Sequence, residues 1–128
     1  MKKYKLALIG SRTFVDYEYF KKTVLYYYRP EQIACVVSGG ANGADKLAES
    51  FANEFDLPLN VYKADWKRLK LRAGYERNIT LIENSDCVIA FWDQVSNGTK
   101  HSIGLARKSN LPIVVVDTNE RIPLNYFS

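Results

Sequence analysis

The sequence predicts an α/β fold, a single Rossmann-like three-layer α/β/α domain built on a mostly parallel five-stranded sheet. Three observations carry this. Short Val/Ile-rich runs alternate with stretches of helical periodicity along the chain, the pattern of a parallel sheet covered on both faces. The 128 residues suit one domain, which at this size buries about two-thirds of its unfolded surface without staples. A composition of 47% hydrophobic and 25% charged residues excludes disorder, collagen-like sequence and coiled coil.

The elements follow in order. Residues 4–9 form a short apolar run, and residues 14–28 a helix that Pro30 stops, because proline has no N–H and clashes with the preceding turn. Residues 33–37 are a second buried strand. Ala44, Leu47, Ala48, Phe51, Ala52 and Phe55 then recur with the spacing of a single apolar stripe, an amphipathic helix. Residues 59–62 read as a third strand. Residues 73–84 read as a helix with Tyr75, Ile79 and Ile82 inward, and residues 86–92 as a fourth strand. Residues 98–110 are a helix with Ile103 and Ala106 inward, and residues 112–116 the fifth strand. Leu124, Tyr126 and Phe127 suggest that the tail packs down.

Composition also bounds compartment and partners. Residues 1–9 imitate the basic and apolar parts of a secretion signal, but the apolar stretch is short and Gly10-Ser11-Arg12 breaks it with a charge. No segment approaches the roughly 18–20 apolar residues of a membrane span, so no membrane partner and a cytoplasmic location are expected. Cys35 and Cys87 lie in apolar runs without CxxC spacing, and His101 is the single histidine. Neither a disulfide nor a metal site is expected from these, nor any cofactor. A net charge of +4 and a pI near 9.0 lean slightly toward an anionic partner.

Parallel α/β sheets bind ligands beyond the carboxyl ends of their strands, so the residues after each strand locate a site. Strand one is followed by Gly10-Ser11-Arg12-Thr13, and strand two by Ser38-Gly39-Gly40-Ala41-Asn42-Gly43-Ala44-Asp45. Strand three is followed by Lys63-Ala64-Asp65-Trp66, and strand four by Asp93-Gln94-Val95-Ser96-Asn97-Gly98-Thr99, with Trp92 at the edge. Gly39, Gly40 and Gly43 lead into a helix whose unpaired N–H groups favour an anion; a tight turn needing glycine is the plainer alternative. Their G-G-x-x-G spacing after the second strand disfavours a hydride-transfer enzyme, which places G-x-G-x-x-G after the first. Ser96-Asn97-Gly98-Thr99 open another helix, as phosphate donors or as an ordinary cap. Arg12 is a candidate phosphate clamp, since a guanidinium binds two oxygens in a fork, or else a surface ion pair. Arg77 and Asn78, near the start of the third helix, can face the same edge. Asp45 is either a dipole-stabilising carboxylate or a ribose contact. Trp66 and Trp92 are candidates to stack on a base or to fill the core. His101 is a candidate ligand contact or a surface residue, and Tyr26-Tyr27-Tyr28 a candidate subunit contact.

Taken together, Gly10-Ser11-Arg12, the loop from Ser38 to Asp45, Asp65-Trp66, Ala73-Gly74-Tyr75-Glu76-Arg77-Asn78, and Phe91-Trp92-Asp93 with Ser96-Asn97-Gly98-Thr99 resemble the YspA-type branch of the SLOG superfamily. That superfamily groups the DprA/Smf proteins with the LOG (lysine-decarboxylase-like) proteins. The resemblance spans residues 4–117 and implies a Rossmann-like fold that binds nucleotides or nucleotide-derived ligands at this sheet edge. LOG proteins are phosphoribohydrolases that cut the base from a nucleoside monophosphate. Arg77 and Asp86 keep a similar helix-to-strand spacing, and Gly98-Thr99 matches the family's G-T. The P-G-G of that motif is replaced by Trp92-Asp93 and a longer loop, and the expected glutamate position holds Ser102. Asp45, Asp65 and Asp93 are the carboxylates available to substitute. DprA-like proteins bind single-stranded DNA and have a loop similar to Ser38-Gly39-Gly40 through Asp45. Such binding uses a basic groove with stacking platforms, whereas the basic residues here cluster only at Lys67-Arg68-Lys70-Arg72.

The expected partner is therefore a nucleotide or phosphorylated, phosphoribosyl-type small molecule. Ser38, Gly39, Gly40, Gly43, Ser96, Gly98 and Thr99 would hold phosphate, with Ser11 and Arg12 as the clamp. Trp66 or Trp92 would face the base, with Asp65, Asn78 and Asp93 lining the site. Asp45 and Arg77 would contact ribose or, given turnover, form the catalytic pair. A LOG-like hydrolase and a single-stranded nucleic-acid binder are the alternatives. The relatives commonly self-associate, so a homodimer or higher even oligomer is expected.

Overall fold

The computed structural model describes residues 2–124. Its elements are β1 (Tyr4–Gly10), α1 (Tyr17–Tyr27), β2 (Ile33–Ser38), α2 (Ala44–Glu54), β3 (Leu59–Val61), α3 (Trp66–Leu69), α4 (Ala73–Glu83), β4 (Cys87–Trp92), α5 (Asn97–Lys108), β5 (Ile113–Asp117) and β6 (Ile122–Pro123). The sheet order is β3-β2-β1-β4-β5-β6. All pairings are parallel except β5 with β6. The sheet thus has six strands where five were expected. The added strand is a two-residue return made when the turn over residues 118–121 lets Ile122 pair with Asp117. Two residues are too few to leave a periodic signal in the sequence. Tyr126 and Phe127 lie outside the described residues, while the Leu124 N–H donates to Val115 O at 2.8 Å.

Strand alternation divides the core into two layers. Leu6, Leu8, Cys87, Ile89 and Phe91 meet α1 and α2 on one face. Ala7, Ile9, Val88, Ala90 and Trp92 meet α4 and α5 on the other. A bulge at the exposed Ala34 turns Ile33 to the α1/α2 face beside Val36, although the two residues differ in parity. Phe91 stacks on Phe20 (centroids 4.5 Å apart) and on Phe14 (5.5 Å). Phe14 lies in the β1–α1 loop rather than in the helix, because Asp16 caps α1 by accepting from the Tyr19 N–H at 3.1 Å.

Helix α4 is rotated from the expected orientation. Ala73, Asn78, Leu81 and Ile82 are buried, whereas Tyr75 and Ile79 are 49% and 38% exposed. Of the three tyrosines that end α1, Tyr26 and Tyr27 are exposed, and Tyr28 packs edge-on against Tyr4.

Gly10 is where β1, β4 and α2 come closest. A Cβ there would overlap Phe91 O and stand 2.9 Å from Ala44 Cβ. Gly104, in the middle of α5, faces open space. Gly10→Ala should therefore cost about 1–3 kcal/mol through overpacking. Gly104→Ala should add about 0.5–1 kcal/mol through helix propensity. Urea unfolding of the two variants checks both signs.

Candidate functional site

The strand order reverses between β1 and β4, the topological switch point where open α/β sheets form their crevice. A cleft of about 330 Å³ opens there. Ser11, Arg12 and Thr13 from the end of β1, Gly39, Ala41 and Asp45 around the glycine loop, and Arg77 and Asn78 from α4 line it. Asp93, Ser96, Asn97, Gly98, Thr99 and Ser102 close the remaining side.

Ser11 is buried and joins three elements. Its N–H donates to Phe91 O (2.9 Å), and its carbonyl accepts from Ala44 N–H (3.1 Å), capping α2. Its Oγ accepts from Asp93 N–H (3.1 Å) and lies 3.3 Å from Ser96 Oγ. Asp93 in turn accepts from the Val95 and Ser96 N–H groups (2.9 and 2.7 Å) and from Ser96 Oγ (2.8 Å). Burial raises the Asp93 pKa, but these hydrogen bonds outweigh it and hold the carboxyl below its ordinary value.

The glycine loop is satisfied in part from within. Asp45 Oδ2 accepts from Ala41 N–H at 3.0 Å, and Ser38 Oγ accepts from Gly40 N–H at 3.4 Å. Burial nonetheless pushes the Asp45 carboxyl above its ordinary pKa, against that hydrogen bond and the positive charge of Arg77. Arg77 Nη1 donates to Gly39 O at 2.7 Å, and its Nε to Asn78 Oδ1 at 3.0 Å. Burial lowers the Arg77 pKa, with Asp45 opposing. A Cβ on Gly39 would overlap the guanidinium and stand 3.0 Å from Asp45 Oδ2. This glycine is therefore needed so that arginine and aspartate can close over the backbone. Gly43 (φ +70°) serves a similar end, since a Cβ would overlap the backbone of Ser11 and Arg12.

Helix α5 opens without a cap. Ser96 makes no side-chain cap. Among the described residues no partner takes the N–H groups of Asn97, Gly98 or Thr99. These orphan donors and the positive end of the helix dipole face the cleft, opposite Arg12 and Arg77.

One network ties the cleft to a neighbouring recess. The Arg77 Nε–H fixes Asn78 Oδ1 as acceptor, so Asn78 Nδ2 is the donor, to Gly98 O (3.3 Å) and to His101 Nδ1 (3.2 Å). His101 must then be neutral with its proton on Nε2. The His101 ring meets Tyr75 edge to face, centroids 4.6 Å apart. Trp66 and Tyr75 line a recess of about 170 Å³ that shares Arg12, Arg77, Asn78 and Gly98 with the cleft.

Of the residues singled out from the sequence, Ser11, Arg12, Gly39, Asp45, Arg77, Asn78, Asp93, Ser96, Gly98 and Thr99 meet at the cleft. Ser38, Gly40 and Gly43 shape the glycine loop from behind its lining. Asp65 caps α3 by accepting from Arg68 N–H at 3.2 Å. Trp92 does not face the cleft. It is buried in the α4/α5 layer, and its indole N–H donates to Ser96 O at 3.1 Å, because it shares the parity of Val88 and Ala90. Asn97 lines the cleft with the rest of the Ser96-Asn97-Gly98-Thr99 opening, whereas Tyr75, expected inward, lines the neighbouring recess. Among the described residues no cluster of three or more His, Cys, Asp or Glu could hold a metal ion, and no helix is long and apolar enough to cross a membrane.

Sheet order and cleft position define a Rossmann-type α/β protein with its crevice at the β1–β4 switch point. The chain belongs to the YspA, cpYpsA-related SLOG family, whose model matches residues 4–69. It is similar to the Gene 61 protein of Mycobacterium phage D29, 34% identical over 85 residues that span 62% of this chain and 68% of the phage protein. It is also similar in structure to DNA processing protein A from Helicobacter pylori, a protein with a single-stranded DNA binding mode. That match has a TM-score of 0.66 at 25% identity and covers 93% of this chain and 71% of the other.

Burial holds the His101 pKa below its ordinary 6.5. The neutral ring's contribution to stability is thus complete above about pH 6.5 and is lost as pH falls through the folded value. His101→Gln keeps an acceptor for Asn78 but does not titrate. Thermal melts between pH 7.5 and roughly pH 5 should show the wild type losing more stability than this variant. Parallel declines would refute the tautomer assignment.

Proposed function

We propose that the cleft binds a nucleotide or a nucleotide-derived phosphorylated small molecule, its phosphate seated on the N-terminus of α5 between Arg12 and Arg77. The observation that carries this is the set of three unpartnered N–H groups, Asn97 to Thr99, facing two guanidinium groups. A helix N-terminus binds phosphate through such donors and its dipole, and arginine adds charge-assisted, forked hydrogen bonds. Membership of the SLOG family and likeness to a protein with a single-stranded DNA binding mode support a ligand with sugar-phosphate chemistry. In this reading the glycine loop gives the cleft its shape and α5 supplies the donors. Arg77 and Asp45 hold the wall between them.

Binding without base release is the activity favoured. The expected glutamate position holds Ser102, buried in the cleft wall. Asp45, Asp65 and Asp93 each accept backbone N–H bonds of their own loops. Stabilising an oxocarbenium-like transition state requires a carboxylate aimed at the ribose, and loss of one such electrostatic group costs about 10²–10³ in rate.

Asn97→Pro tests the phosphate seat without disturbing the fold. Proline is favoured at the first helical position, and the preceding Ser96 is already extended (ψ 115°). The variant should keep its melting temperature and bind nucleoside monophosphates about tenfold more weakly, 1.4 kcal/mol, by calorimetric titration. Unchanged affinity would overturn the assignment. Long incubation with adenosine, guanosine, cytidine and uridine monophosphates should release no free base by chromatography. Release abolished by Arg77→Ala would establish the hydrolase instead.

We also propose self-association through the outer end of α1, where Tyr26 is 82% exposed. Light scattering should give a multiple of 14.7 kDa; the monomer mass at tens of micromolar would remove the idea.

A further inference from the structure

We infer that the recess between Trp66 and Tyr75 is a base-stacking subsite, which makes the ligand of the cleft a mononucleotide rather than a sugar phosphate. The inference rests on the phosphate seat proposed above and adds the part of the ligand that seat does not read. Trp66 and Tyr75 are 51% and 49% exposed and belong to separate elements, α3 and α4, yet they line the same recess. Large aromatic rings left half in water and turned toward one concavity offer flat faces to a flat partner. The recess is continuous with the cleft through Arg12, Arg77, Asn78 and Gly98. A molecule anchored by phosphate on α5 therefore reaches it without leaving the protein surface.

Gly74 faces the tip of the indole, where a Cβ would stand 3.4 Å from Trp66 Cη2. Tyr75 is set edge-on by His101, which Asn78 holds, and Asn78 also accepts from Arg77. The same side-chain chain thus positions the guanidinium that faces the cleft and the ring that faces the recess. The Asn78 amide is fully engaged in this task, with its oxygen on Arg77 and its nitrogen shared between Gly98 O and His101. It has no donor left to read a base edge, and the guanidinium groups of Arg12 and Arg77 are committed in this reading to the phosphate. Recognition falls to ring faces, which every base possesses, so the subsite requires a base and discriminates weakly among them. At about 170 Å³ it is sized for a single heterocycle.

Calorimetric titration of the full chain with adenosine, guanosine and uridine monophosphates, ribose 5-phosphate and a thymidine oligomer tests this. The monophosphates should bind at least about tenfold more tightly than ribose 5-phosphate, within the range of one stacked base. Trp66→Ala should bring them down to the ribose 5-phosphate level and leave ribose 5-phosphate itself unchanged, and Trp66→Phe should restore most of the difference. Equal binding of ribose 5-phosphate and nucleotides in the wild type would overturn the subsite while leaving the phosphate seat intact. So would a Trp66→Ala variant with unaltered nucleotide affinity. Failure of every phosphorylated ligand to bind would overturn both. An oligomer bound more than tenfold more tightly than the monophosphates, with the same dependence on Trp66, would replace the mononucleotide with a strand.

Discussion

The site depends on a backbone-to-backbone contact between the end of β1 and the start of α2. Ala44 N–H reaches Ser11 O at 3.1 Å, and the approach is possible only because Gly10 and Gly43 carry no Cβ. From this contact follows the geometry around it. Ser11 is left with its hydroxyl pointing at the β4–α5 loop, where it accepts from Asp93 N–H and meets Ser96 Oγ. Arg12, the next residue, is carried outward over the cleft. Phe14 returns to stack on Phe91, so the loop is pinned at both ends. A few tenths of an ångström at Gly10 would be felt at the first turn of α5, through packed groups that have little freedom to relax.

The two helix N-termini at this edge are treated differently, and the difference decides where negative charge is welcome. The first turn of α2 is met by the Ser11 carbonyl and by the carboxylate of Asp45, which bends back onto its own loop. That end carries a carboxylate of its own. At α5 the nearest carboxylate, Asp93, spends its oxygens on Val95, Ser96 and the Ser96 hydroxyl, one step short of the helix. The donors of α5 stay open. With Arg77 tethered to Gly39 O and Arg12 opposite, the positive side of the cleft belongs to α5 and α4 rather than to the glycine-rich turn.

Much of this was legible in the sequence. Continuous apolar runs alternating with helical stripes specified the parallel sheet and its two covered faces; the residues after each strand bring Ser11, Arg12, Asp45 and Gly98 together, and the start of the third helix adds Arg77. What failed did so for identifiable reasons. The parity of Val88, Ala90 and Trp92 was available and points the indole into the core, but a tryptophan at a strand end also looks like a platform. The buried stripe of α4 is masked in the sequence because Asn78 is polar yet buried, held there by Arg77 and His101; counting Tyr75 and Ile79 instead turns the helix by about a third of a turn. Glycine density alone cannot distinguish loop donors left open to an anion from donors claimed by a nearby aspartate, as Ala41 N–H is by Asp45. That distinction is three-dimensional.

The sheet's margins set a rule for how molecules of this protein can meet. On one side β3 is only three residues long. On the other, β6 has two residues, and one of them, Pro123, has no N–H to offer. Among the described residues neither margin presents a row of backbone groups long enough to template a further strand. Growth of one sheet into the next has little backbone to build on at either described margin, so a contact between copies would have to be made by helical faces, where side chains rather than main chain decide the fit.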